Sequence, residues 1–458
     1  MNATMFVAPR TTRHVHRWAW KSSLGFWTLL AWSLAAPAME LVFREDFENG
    51  WNGWTNDTTY NIDPRFAWVI TAPTNGPLAA HTGAACAATL GPGTDCYLVS
   101  PPILLPAVNQ YSNHLWLFYW QWQKYLPNSA SNVCLSDVKI RQLIPGPIGN
   151  YWGPWNIIDP GTSGVIADIS PAWRRRGIDL TLFSGWPVQL GFGHSGKGDP
   201  GWFVDDVEVW NAPVLTHWPG TESFENGWGA WHTDEGAWDL GVPAAGGPTN
   251  VPDGKFCAGT GLDGLHPSVV EAHLWTPAFY LPAVRPGERV FLQFDQWHDY
   301  STAFGVAVHW SQWWSSIGWT WPQIIGSDPL LVVQQRTWTP LAVDLTSLAG
   351  MPLPMRLGFE HSDLSGIGLG WFIDRVRITV ARFQILEIQS QGNDVRLAWA
   401  APAGTTNLVQ CSARLGGAFT NLSPALIATG SVESVTTYLH PGAGNGASPR
   451  YYRVKRLP

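Results

Sequence analysis

The sequence predicts an all-β chain of three domains, the first two being copies of one two-sheet antiparallel sandwich. Three observations carry this. Residues 47–54 read Phe-Glu-Asn-Gly-Trp-Asn-Gly-Trp and residues 224–231 read Phe-Glu-Asn-Gly-Trp-Gly-Ala-Trp, so a unit of roughly 170 residues has been copied. Charged residues make up only 13% of the 458, while Gly (47) and Pro (36) are abundant, a composition of turns and not of long helices. Short apolar runs (115–122, 188–192, 290–297, 355–359) are separated by Gly, Pro, Asn and Asp, as strands are.

From the N-terminus, Arg10, Arg13, Arg17 and Lys21 precede an apolar stretch, 24–38, that ends in Ala36-Pro37-Ala38. Residues 1–38 therefore read as an export signal cleaved after Ala38, because about fifteen apolar residues fall short of the roughly twenty that span a bilayer. Cleavage removes four basic residues and no acidic ones, moving the net charge from −7 to −11. So acidic a chain, with no basic patch, excludes nucleic acid and anionic membrane surfaces as partners. A secreted or cell-surface location follows from export, which also permits disulfides. The five cysteines (Cys86, Cys96, Cys134, Cys257, Cys411) are odd in number, so at least one stays free or pairs between molecules. Cys86 and Cys96 are close enough to bridge neighbouring strands and are the expected pair. Cys257, with no partner near the place of Cys96, reads as a buried thiol. No two cysteines have metal-ligand spacing.

The first unit covers 39–213 and the second 214–381. Leu105-Pro106-Ala107-Val108 recurs as Leu281-Pro282-Ala283-Val284, Gln121-Trp122 as Gln296-Trp297, and Asp179-Leu180-Thr181 as Asp344-Leu345-Thr346. The units close on Gly201-Trp202-Phe203-Val204-Asp205-Asp206-Val207 and Gly370-Trp371-Phe372-Ile373-Asp374-Arg375-Val376. Residues 382–458 differ, with opening strands around Phe383-Gln384-Ile385-Leu386 and 395–399, then Asn407-Leu408-Val409-Gln410-Cys411 and a final Tyr451-Tyr452-Arg453-Val454.

The opening Asp46-Phe47-Glu48-Asn49-Gly50, the strand from Leu98 to Leu105, the internal 178–181 and the closing 201–207 occur in the same order in both units. In these marks the repeated unit resembles the meprin/A5/mu (MAM) type and its bacterial relatives, the choice-of-anchor domains and the domain that accompanies immune inhibitor A-like peptidases. The resemblance implies two tandem jelly-roll (concanavalin-like) antiparallel β-sandwiches without catalysis. The last segment is similar to the small immunoglobulin-like or fibronectin type III-like sandwiches that end many exported bacterial proteins. In such jelly rolls, acids on the opening and closing strands can hold structural calcium, a hard ion that takes oxygen ligands. The candidates here are Glu48 with Asp205 and Asp206, then Glu225 with Asp374. The second unit departs, with Arg375 for Asp206 and Ser223 for Asp46. The alternative is that these acids satisfy backbone N–H groups or pair with Arg44 and Arg375.

Thirty tryptophans invite a binding reading, since aromatic faces stack sugars and bind apolar ligands. The repeat assigns Trp51, Trp54, Trp68, Trp122 and Trp202 with Trp228, Trp231, Trp238, Trp297 and Trp371, and Trp152 and Trp155 with Trp319 and Trp321, to the core. Tryptophans found in one copy only are the ligand candidates: Trp116, Trp120 and Trp186, and above all Trp310, Trp313 and Trp314. Exposed, that last run makes an apolar binding patch; its alternative is a second core layer or the contact between units.

Enzyme signals are weak. The run 191–198 approaches a P-loop but lacks the Ser or Thr that holds Mg²⁺ and reads as a turn. His194-Ser195 and His361-Ser362 place neighbouring side chains on opposite strand faces, unsuited to sharing a proton, and their recurrence reads as a structural turn. No His-Glu-x-x-His motif occurs. The sequence thus predicts an exported non-catalytic protein for adhesion or matrix interaction with an extracellular glycan or surface protein. The alternative is a carbohydrate-binding protein that uses the unrepeated tryptophans.

Overall fold

The computed structural model describes residues 2–5, 38–57, 67–74, 76–89, 96–123, 135–159, 172–195, 201–244, 246–267, 269–300, 306–325, 334–363, 367–414, 416–430, 432–445 and 450–457. Most of the expected signal segment, 6–37, and Cys134 lie outside them. The described residues form β-strands with 3-10 turns at Thr181–Phe183, Thr346–Leu348 and Ala443–Asn445, and contain no α-helix. No helix among them is long and apolar enough to cross a membrane.

The first unit has two sheets. One runs Tyr151–Trp152, Leu135–Ile144, Pro187–Ser195, Cys96–Val99, Thr55–Asp57; the other runs Arg174–Asp179, Asn113–Gln123, Trp202–Pro213, Cys86–Thr89, Trp68–Thr71, with Glu40–Glu45 also on Trp202–Pro213. Their pairings are antiparallel. Period-two alternation decides what each strand buries. In Asn113–Gln123, Leu115, Leu117 and Tyr119 enter the core between the sheets with Phe47, Trp54, Val138, Phe192 and Trp202. Trp116 and Phe118, on the other face, are also buried, against Ala212 and against Ala230 and Trp319 of the second unit. A strand apolar on both faces is explained by that second layer.

The second unit repeats the plan. Val269–Trp275 and Val306–Trp314 flank Met355–Asp363 in one sheet, and Cys257–Gly259, Gly368–Ala381, Arg289–Tyr300 and Gln334–Asp344 follow one another in the other. Phe224, Trp231, Trp238, Phe294, Phe359 and Trp371 fill the space between. The last group of strands pairs Gln384–Gln391, Asp394–Pro402 and Glu433–His440 in one sheet and Thr406–Ser412 with Tyr451–Arg456 in another, around buried Trp399. Asn2–Met5 adds an edge to Tyr451–Arg456, a pairing that cleavage after Ala38 would remove.

The repeated motifs mark repeated backbone strain. Phe47 and Phe224 stand at φ 57° and 60°, and Asp206 and Arg375 at φ 45° and 50°, where side chains other than Gly, Asn and Asp rarely sit. Glu45 holds the first turn by accepting the Phe47 N–H at 2.8 Å, and Glu222 does the same for Phe224 at 2.8 Å. The second pair of positions lies at a bulge where the closing strand slips register against its long neighbour.

Two expectations change. Cys86 and Cys96 are free thiols in different sheets. Cys86 faces an outer cluster with Ala88, Trp122 and Phe203, and Cys96 faces the core, where its thiol donates to Asn56 Oδ1 at 3.4 Å. Ten residues of separation led across the sandwich, not along a hairpin. His194-Ser195 and His361-Ser362 end the strands Pro187–Ser195 and Met355–Asp363 and are not turns. Both histidines are buried.

Candidate functional site

The acids at the strand ends converge on one loop in each copy. In the first, Asp205 Oδ2 accepts the N–H of His81 at 2.9 Å and of Thr82 at 3.2 Å, while Glu48 Oε1 accepts those of Ala84 and Ala85 at 2.8 and 2.7 Å. In the second, Asp374 Oδ2 accepts from Asp253 at 2.9 Å, and Glu225 Oε1 from Lys255 and Phe256 at 2.7 and 2.6 Å. Gly83 and Gly254 make this grip possible. At φ 62° and 74°, a Cβ on either would lie 2.3 or 2.2 Å from the carboxyl carbon of Glu48 or Glu225. The bulge presents Asp205 and Asp374 to the loop, and the residues that follow them differ between the copies. Asp206 lies 2.7 Å from His81 Nδ1 and 3.5 Å from Arg44, whereas Arg375 pairs with Asp295.

Burial, reinforced by the Asp206 charge, pushes the Asp205 carboxyl up to about 7, and burial likewise brings Asp374 to about 7. Asp205 Oδ1 also accepts the N–H of Asp206 at 2.8 Å, so both of its oxygens serve backbone donors. Its oxygens and those of Glu48 are hard donors of the kind calcium takes, and among the described residues Glu48 Oε2 is left without a hydrogen bond. A hard cation in the first copy would be held by Glu48 and Asp205, whose oxygens here accept backbone N–H groups as the alternative expects; Asp206 is engaged by His81, Thr82 and Arg44. In the second copy Arg375 brings a fixed cation next to Asp374.

The tryptophan run divides between two faces. Trp313 is 1% exposed, donates its indole N–H to Gln110 Oε1 of the first unit at 3.2 Å, and meets His114 edge-on at 4.5 Å. Trp310 is half-buried against the second core. Only Trp314 is open, at 48%, and it shares its hairpin with exposed Ile317, Ile324 and Trp321, the last 86% exposed. Recurrence therefore misassigned Trp321, and Trp51 too is exposed. Of the other unrepeated tryptophans, Trp116 is buried against His232, with ring centroids 4.1 Å apart, Trp120 stacks on His81 at 3.8 Å, and Trp186 is exposed.

The units also meet along a polar seam that sequence reasoning missed. Arg174, Arg175 and Arg176 on the edge strand Arg174–Asp179 are all buried. Arg174 pairs with Asp239 at 3.0 Å, Arg175 donates to the carbonyls of Gly229 at 3.2 Å and Trp231 at 2.9 Å, and Arg176 lies 3.6 Å from Glu235 while pairing with Asp159. Arg175 also covers Phe118, 3.9 Å from its ring centre, and Trp319 donates to Asp179 at 2.8 Å. Three consecutive arginines in so weakly charged a chain were the available signal, with Asp234-Glu235 and Asp239 as the matching acids.

No family model matches this sequence, and no curated protein matches it in sequence. Among solved structures it is similar to the K3 cleaved adhesin domain of Lys-gingipain from Porphyromonas gingivalis, at 21% identity over 38% of this chain and 99% of that one, TM-score 0.25. The tandem CBM22 domains of Xyn10C from Paenibacillus barcinonensis match at 14% identity over 75% and 99% of the two chains, TM-score 0.24. The mannan-recognising module TmCBM27 matches at 14% identity over 38% and 98%, TM-score 0.20. These are distant likenesses, and the reading of the site rests on this chain's own residues.

Proposed function

We propose that the chain is an exported, non-catalytic binding protein for adhesion or matrix interaction, engaging an extracellular glycan or surface protein through the exposed edge hairpin of its second unit. The observation that carries this is the exposure of four large apolar side chains, Trp314, Ile317, Trp321 and Ile324, on one edge hairpin. Soluble surfaces seldom group such residues without a partner, and flat indoles offer faces on which sugar rings stack. The seam behind the hairpin gives it a firm base, because Trp313 and Trp319 anchor it to the first unit. The buried state of His194 and His361 supports the non-catalytic part, since neither His-Ser pair offers its imidazole to a substrate. Calcium belongs to the same reading as a stabiliser of the first unit, held by Glu48 and Asp205.

The test is a screen of immobilised polysaccharides and extracellular matrix proteins with residues 39–458, repeated with Trp314→Ala/Trp321→Ala. Binding should weaken at least about tenfold in the double variant while its melting temperature stays within about 2 °C, both rings being exposed. A ligand bound equally well by the variant would overturn the assignment of the hairpin. A polysaccharide ligand, with tryptophan fluorescence shifted on binding, would select the carbohydrate reading.

A further inference from the structure

The second unit contains a group with no counterpart in the first. His273 on Val269–Trp275 and His309 on Val306–Trp314 stand on the two strands that flank Met355–Asp363. Pairing of His273 and Ala307 with Glu360 puts both histidines and Glu360 on one face of the sheet. The imidazoles lean towards each other across the central strand until His273 Nε2 and His309 Nδ1 are 2.9 Å apart. Glu271, two residues before His273 and so on the same face, brings Oε1 to 3.5 Å from His273 Nε2. One ligand atom from each of the three residues lies within 4.8 Å of the others.

Carboxylates flank the outer ring nitrogens. His273 Nδ1 lies 2.9 Å from Asp234 Oδ2, and Asp234 is itself held by the Trp275 indole N–H at 2.9 Å and the His273 backbone N–H at 2.8 Å. His309 Nε2 lies 2.9 Å from Glu360 Oε2. The Asp234 carboxylate keeps a proton on His273 Nδ1, and Glu360 sets a second carboxylate beside His309 Nε2, so the inner nitrogens face each other across a gap that takes a proton or a metal ion. Two lone pairs at that distance repel unless a positive centre lies between them. An imidazole held by a carboxylate on its far side is the usual arrangement of a metal-binding histidine.

We propose that Glu271, His273 and His309 form a binding site for a divalent transition metal, zinc by the chemistry of its ligands, with Asp234 and Glu360 orienting the two imidazoles. Nitrogens at about 2.0–2.1 Å from a tetrahedral zinc stand roughly 3.3 Å apart, so the observed separation needs to open by only a few tenths of an ångström. Glu271, whose side chain is half in solvent, closes the third position and leaves the fourth to water.

The first copy supplies the comparison. Leu98 and Val138 pair with Phe192 as Leu274 and Val308 pair with Phe359, so Tyr97 and Lys139 stand where His273 and His309 do. There the Lys139 ammonium donates to the Tyr97 hydroxyl and lies 3.4 Å from Asp137. One copy carries its own cation at this place. The other replaces it with two imidazoles and, at the position of Gly193, with the carboxylate of Glu360.

The mature full-length chain, stripped with chelator, is titrated with Zn²⁺ and separately with Co²⁺. One saturable zinc per chain is expected, with the visible absorption of a four-coordinate Co²⁺ ion and a higher melting temperature in zinc. Glu271→Gln, half-exposed and safe for folding, should weaken zinc about tenfold, and His273→Gln/His309→Gln about a hundredfold or more, while Lys139→Ala in the first copy leaves it unchanged. Absence of saturable zinc binding in folded protein would overturn the proposal, and so would affinity unchanged in Glu271→Gln and in the double histidine variant; in either case the imidazoles share a proton.

Discussion

Asp205 shows how much depends on one buried carboxyl. Folded, it keeps its proton up to about 7; unfolded, it releases it near 4. Its ionisation therefore opposes the fold: the contribution to stability is fully present below about pH 4 and is lost as pH rises through about 7. In chelator, the stability gap between wild type and Asp205→Asn should narrow as pH is raised from about 5 to about 8. With calcium it should stay constant, because the ion supplies the missing charge. Melting curves at both pH values with and without calcium measure this, and identical curves would remove calcium from the first unit. His232 and His361 act in the opposite sense. Burial, with Arg356 beside one and His266 beside the other, holds both down to about 3, so protonating them in the unfolded chain below about 6.5 favours unfolding. The thiols give a simpler check. Burial pushes Cys86 up to about 12, and it has no disulfide. Alkylation without reductant should leave Cys86 and Cys96 unmodified in the native state and label both after denaturation; resistance to labelling after denaturation would restore the disulfide.

At the scale of the element, the edge strand Arg174–Asp179 and the hairpin 313–324 illustrate how alternation distributes roles. Removing one member of a buried ion pair leaves the other charge without compensation, so Asp239→Ala, opposite buried Arg174, should cost about 3 kcal/mol. Trp313→Ala should cost about 3–5 kcal/mol, since it empties a buried site and frees Gln110. Trp314→Ala, one residue along, should stay within about 0.5 kcal/mol. Chemical denaturation of the three variants checks the ranking, and a Trp314→Ala loss as large as that of Trp313→Ala would mean that the hairpin face is core. In the same way Glu48 and Glu225 are legible as repeated acids, but their use depends on loops 81–85 and 253–256, where a glycine leaves room for each carboxylate.

For the whole molecule, the sequence by itself determined the class and the plan. Turn-rich, weakly charged composition excluded long helices, and the repeated Phe-Glu-Asn-Gly-Trp located two equivalent turns, both with a left-handed Phe and a gripping Glu. It also set apart Trp310, Trp313 and Trp314 as what the second copy alone possesses, whereas the Tyr97-to-His273 and Lys139-to-His309 exchanges show only in the strand register. Tertiary structure alone decided which face of each strand meets water. Period-two alternation says that a strand has two sides, and repetition says which residues correspond, but neither says which sides the neighbouring unit covers. Contacts between the units cover Trp116 and Trp313 and leave Trp314 and Trp321 open. It also takes three strands, distant in the chain, to bring His273, His309 and Glu360 onto one face. Such convergence is set by strand order and register, long-range quantities that a local pattern does not contain.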